Sequence, residues 1–171
     1  MALSAATLAS ELESLAPTND EATAIQRIVD AWEVYFNGSQ LGAASAVPGS
    51  YSAALAALQS GLSGMSASNA TGNAFQIGLT AFWATIAPLA ASVWPQTPPP
   101  VTTPPAIPPP LLSGISALLQ AQWAADSAAG ASLATSAQNM ANILHVNAGL
   151  GGICNITVPG APPVVTPTPI T

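Results

Sequence analysis

Leu8, Leu12 and Leu15 recur at i, i+4 and i+7, the spacing of one apolar stripe on a helix, and predict a helix over residues 4–15 that stops before Pro17. Thr18 and Glu21 follow at the spacing of a capping box. They open a second helix, over 19–36, with Ile25, Ile28, Trp32 and Phe36 on one face, Asp20, Arg27, Asp30 and Glu33 largely elsewhere, and an end at Asn37-Gly38. Beyond a Gly/Ser/Pro loop at 38–50, Tyr51, Leu55, Leu58, Leu62 and Met65 predict a third helix over 50–65. Its other face is alanine and serine, suited to close packing, while Gly61 and Gly64 each cost it about 1 kcal/mol relative to alanine. A fourth helix, over 70–93, carries Phe75, Leu79, Phe82, Ile86 and Leu89 in one stripe, with Pro88 set to bend or end it.

The pattern then changes character. Residues 95–110 hold nine of the seventeen prolines, a density that forbids helix and favours an extended polyproline II strap of about 3 Å per residue, roughly 45 Å when fully drawn out. Residues 113–146 read as one long alanine-rich helix with Ile115, Leu118, Leu119, Trp123, Leu133, Met140, Ile143 and Leu144 as its larger apolar side chains, Gly130 being a point where it could be interrupted. A Gly-rich loop closes it, Ile153–Val158 alternates like a short strand, and the tail through Thr171 carries five more prolines. The expected fold is all-α, an antiparallel helical bundle with a Pro-rich extended strap and an extended C-terminal arm bearing a short strand. It divides into an N-terminal helical region (1–94), a linker (95–110), a long C-terminal helix (111–147) and the arm (148–171).

Composition sharpens this picture. Half the residues are hydrophobic and only 5% are charged, with one Arg against seven acids and a net charge of −6, where a soluble domain ordinarily carries roughly 25% charged residues. All the charged residues except Asp126 lie within the first 33 positions, so an acidic head precedes a nearly neutral body. One cation cannot neutralise a row of phosphates, which argues against nucleic-acid binding. Few aromatics and many alanines imply a thin core that draws stability from neighbouring subunits. The single Cys154 allows no intramolecular disulfide and no zinc site of its own. The N-terminus lacks a basic n-region and places Glu11 and Glu13 where an apolar h-region would sit, so synthesis in the cytoplasm without a cleaved export signal is expected.

Candidate chemistry is sparse. His145 is the only histidine, and on one straight helix Asp126 would lie roughly 28 Å from it, too far for a shared proton. A capping or interface role at a helix C-terminus is the expectation for His145. Glu11/Glu13 and Asp20/Glu21 are too close in sequence to oppose one another across a cleft and read as a solvated face. Gly149, Gly151 and Gly152 follow a helix and precede a strand, the reverse of a phosphate-binding loop, and no lysine accompanies them. Three Asn-x-Ser/Thr triplets, at Asn37, Asn69 and Asn155, would matter only in a secretory pathway. The uncharged run 75–94 is long enough for a bilayer, but Gln76, Thr80, Thr85, Pro88 and Ser92 dilute it and no cation orients it, which favours a helix buried among helices.

No catalytic, cofactor-binding or metal-ligating residue is expected, nor a small-molecule substrate. Leu8, Leu12, Ile25, Trp32, Phe36, Phe75, Leu79, Phe82, Trp83, Trp94, Leu118 and Trp123 are the expected packing and interface residues. Small neutral side chains lose little entropy and little ion solvation when covered, so such a surface suits permanent assembly.

The acidic helical start, the Ala-rich segment AFQIGLTAFWATIAPLAASVWP with its proline spacer, and the closing SAQNMANILHVNAGLGGICNITVPG resemble small structural proteins of tailed-bacteriophage particles. That resemblance, over residues 3–36 and 70–160, implies an enzymatically inactive virion subunit made in the host cytoplasm. It would sit at the head–tail connector, tail or baseplate, with copies of itself and other virion proteins as partners. It carries over no functional residue. Two other readings stand beside it: a membrane-inserting holin-like or anchor protein built on 75–94, and a secreted low-charge adhesive protein.

Overall fold

The computed structural model describes residues 3–15, 18–41, 44–45, 51–65, 71–89, 108–109, 111–149, 153–158 and 164–169. Six helices carry the fold: α1 (Ala5–Glu13), α2 (Glu21–Phe36), α3 (Ser52–Leu62), α4 (Thr71–Leu89), α5 (Ile115–Ala129) and α6 (Leu133–Leu144). Each packs on the next in sequence, and α1 returns against α6, so the six close on one another as an all-α bundle. The strap expected over 95–110 lies outside the described residues save Pro108 and Pro109; Pro109 is buried, and its carbonyl accepts from the Leu112 N–H at 3.4 Å.

The helix starts are set by local chemistry. Ser4 caps α1 through its hydroxyl, which accepts from the Thr7 N–H. On α2 the cap is Asp20 rather than Thr18, its carboxylate accepting from the Thr23 N–H at 2.9 Å. Thr18 is displaced from that role because its hydroxyl accepts from the Asp20 N–H instead. Glu21, freed from a capping box, reaches across the bundle, where its carboxylate accepts from the Gly64 N–H at 2.6 Å. The described part of α4 runs to Leu89 with Pro88 inside it, where the missing N–H withholds one bond from the preceding turn.

The long helix expected over 113–146 is two helices. A 3-10 turn, Leu112–Gly114, leads into α5, and Gly130, at φ 63°, ends it in the left-handed region. There Gly130 N–H donates to the Ser127 carbonyl and Ala131 N–H to that of Asp126, the paired bonds of a Schellman turn. Ser132 then caps α6, its hydroxyl accepting from the Thr135 N–H at 3.2 Å. Three residues, Gly-Ala-Ser, thus reverse the chain and lay α6 back on α5.

An aromatic cluster fills the centre. Phe82 meets Phe36 edge-on with centroids 5.0 Å apart and Trp32 at 5.8 Å, and Trp83 packs against both phenylalanines. Elsewhere close packing replaces bulk. A methyl at Gly61 would overlap the Gly78 backbone, so the two glycines bring α3 and α4 nearer than any side chain would allow. At Gly61 the intrinsic cost of a helical glycine is offset by this approach.

Two antiparallel hairpins accompany the helices. The first pairs β1 (Gln40–Leu41) with β2 (Ala44–Ser45). The second pairs β3 (Ile153–Val158) with β4 (Val164–Pro169), Val158 opposite Val164 and Ile153 opposite Pro169. The single strand expected in the C-terminal arm therefore has a partner within its own chain.

Candidate interaction surface

Along α5 the inward stripe runs through Ile115, Leu119, half-buried Trp123 and Asp126. The outward side presents Ala117, Leu118, Ala121, Ala124, Ala125 and Ala128, with Leu111 and Leu133 exposed at its two ends. Leu118, expected among the packing residues, is 44% exposed while its neighbour Leu119 is fully enclosed. One helical step of about 100° carries it off the core stripe. Between 111 and 149 the one acidic residue is Asp126, and it is buried. The α5–α6 hairpin therefore shows solvent no ionised Asp, Glu, Lys or Arg.

The other expected packing residues divide clearly. Leu8, Leu12, Ile25, Trp32, Phe36, Phe75, Leu79, Phe82 and Trp83 are all buried. Trp123 is half-buried, its ring 6.3 Å from that of Phe75. Trp94 lies outside the described residues.

Asp126 is held by amides rather than by a cation. Its Oδ1 accepts from Gln122 Nε2, one turn earlier, and from Asn139 Nδ2 on α6, both at 2.8 Å. Hydrogen bonding from Gln122, helped by Asn139 and Ser136 and opposed by burial, keeps its carboxyl below the usual carboxylate range. The arrangement pins α6 to α5 about one turn before their reversal on α5 and two turns after it on α6.

His145 stands at the C-terminal end of α6, where the chain widens into a π-helical turn, His145–Gly149. Its ring does not cap carbonyls as expected. It lies 2.8 Å from the Tyr35 hydroxyl, which donates to Nδ1 when the ring carries its proton on Nε2. Burial lowers the imidazole pKa and raises that of the phenol, so the neutral pair is favoured. Carbonyl capping falls instead to Asn147 Nδ2, which donates to the Ile143 carbonyl, and to Trp83 Nε1, which donates to that of Ala148. Because the helix breaks at Gly130, the straight-helix separation of Asp126 and His145 does not apply. The hydrogen-bond partners of the two residues are nonetheless different, and they form no shared site.

A groove runs beside this surface. Leu12, Leu15, Ile28 and Leu133 line two adjoining hollows of about 260 and 300 Å³. The first is walled by Met65, Phe75, Trp123 and Met140, and the second ends at Thr18 and Arg27. Tyr35 and the Gly61–Gly78 contact are not marked as functional positions by the sequence. Tyr35 sits three residues from Trp32 on the inward face, which was the available signal.

No protein-family model, curated protein or solved structure matches this chain. Among the described residues no group of three or more His, Cys, Asp or Glu is placed to hold a metal ion, and no helix is long and apolar enough to cross a membrane.

Proposed function

We propose that this protein is a noncatalytic structural subunit, of the kind found in tailed-phage virions, that assembles with further copies of itself and with other virion proteins. The observation that carries the assembly reading is the outer side of α5. It is a helix-long surface of alanine and leucine with no ionised side chain, on a chain whose other end, α1–α2, carries almost all the charge. Covering such a face strips no hydration from ions and freezes few rotamers. Repeated copies that cover one another's faces favour a closed ring. The virion assignment rests on the resemblance of sequence organisation.

Light scattering on the purified chain tests the first part, with Leu118→Glu as the variant. Leu118 is exposed, so the substitution leaves the monomer's thermal midpoint nearly unchanged while placing a carboxylate on the face. The reading requires oligomers for the native chain and a shift toward monomer for the variant. A monodisperse native monomer at micromolar concentration overturns it. Mass spectrometry of purified particles from the source tests the second part: the virion reading requires the chain there at stoichiometric copy number, and its absence sinks that reading.

A further inference from the structure

The outer face of α5 leaves unused the groove beside it, whose two hollows adjoin across four shared lining residues, Leu12, Leu15, Ile28 and Leu133. Its floor and sides are aliphatic and aromatic, and Met65 and Met140 are unbranched side chains that adapt to irregular occupants. At one end stands Arg27, the only Arg or Lys among 171 residues. A pocket of several hundred Å³, mostly apolar, with Thr71 and Ser136 in one hollow and Thr18 and Arg27 in the other, is the form taken by small-ligand sites. We propose that the groove binds a single aliphatic chain with a carboxylate head, the tail lying against Phe75, Trp123 and Met140 and the head at Arg27.

Charge selects this occupant. Asp20 caps α2, and Glu21 and Asp30 share that helix with Arg27, so the guanidinium is the one charged group along it that attracts an anion. Arg27 already interacts within the chain, but a guanidinium has five N–H donors in a planar fork, enough to accept a further partner and to grip a carboxylate with two of them. Thr18 adds a hydroxyl beside it. A neutral head would gain only the apolar part of the site, and an ammonium would meet Arg27 directly.

The inference does not depend on the assembly reading, and its test is independent of oligomeric state. The full-length chain is loaded with 11-(dansylamino)undecanoic acid, and octanoate, decanoate, dodecanoate, dodecanol and dodecylammonium are titrated in below their micellar ranges. The expected result is saturable displacement at one site per chain, with carboxylates tightening about fourfold per added methylene and dodecanoate at least tenfold better than dodecanol. Arg27→Gln is expected to reverse the preference, so that dodecylammonium, drawn by the remaining acids, outcompetes dodecanoate. Leu133→Glu, which sets a carboxylate in the wall shared by the two hollows, should weaken both dodecanoate and dodecanol, dodecanoate the more. Circular dichroism confirms that each variant is folded. Absence of displacement, non-saturable uptake, or equal affinity for dodecanoate and dodecanol in the native chain overturns the proposal.

Discussion

The two ends of the bundle solve opposite problems. Helices α1 and α2 carry Glu11, Glu13, Asp20, Glu21, Arg27, Asp30 and Glu33 in or beside them, and their outward faces are hydrated in the ordinary way. The α5–α6 hairpin has one charged residue and turns it inward, where Gln122 and Asn139 replace water at its Oδ1. Its outer side is left to alanine, serine and a few exposed leucines. Polar chemistry in the first region therefore supports solubility. In the second it specifies internal register, leaving the outside free to be covered.

The contrast between enclosed and displayed apolar side chains is where a single substitution should act most strongly. Phe82→Ala opens the aromatic cluster and is expected to cost about 3–5 kcal/mol. Leu118→Ala on the outer face should stay within about 0.5 kcal/mol of the native chain. Denaturant titration of both measures the difference, and near-equal values would erase the distinction between core and cover.

Glycine positions come next. Gly78→Ala forces a methyl toward the Leu58 carbonyl and should cost about 1–3 kcal/mol through overpacking, read by the same titration. Gly130→Ala keeps a clear space but requires a side chain at positive φ, which should cost about 1–2 kcal/mol and loosen the α5–α6 reversal. Hydrogen exchange should then speed up across α6 before it does so in α2.

Acidification should act most gently, through two groups of the α5–α6 hairpin and the turn that follows it. The pKa of His145 is lowered by burial, so the unfolded chain takes up that proton first, and stability falls as pH drops below the ordinary imidazole range near 6.5. Asp126 has its carboxyl lowered by Gln122 and its other amide and hydroxyl partners. The stability it lends is present above about 3.9 and is lost as pH falls through its folded value. Thermal midpoints across pH should therefore decline in two steps. His145→Gln is expected to remove the upper step alone and Asp126→Asn to reduce the lower.

How much could be read beforehand follows from these same residues. The inward stripes of α1, α2 and α4 were legible because leucines and aromatics stand against polar neighbours. On α5 the contrast fails: in a helix made mostly of alanine, Leu118 and Leu119 look alike, and only packing distinguishes the enclosed one. Gly130 marks an interruption, but a serine two residues on is too common in this Ala/Ser-rich stretch to stand out as the next cap, so two helices read as one. The strand β4 is not legible because Pro167 and Pro169 argue against a ladder. The groove draws its walls from all six helices or their ends, and no periodicity within one segment could have disclosed it.

Pro167 and Pro169 stand two apart in β4, so both withhold an N–H from the same side of the strand. Pairing with β3 is compatible with that only if the bare side points away from the hairpin. A further strand arriving there would find carbonyls without donors, and templated stacking would halt after the first pair. A tail crowded against copies of itself would therefore not seed a fibre.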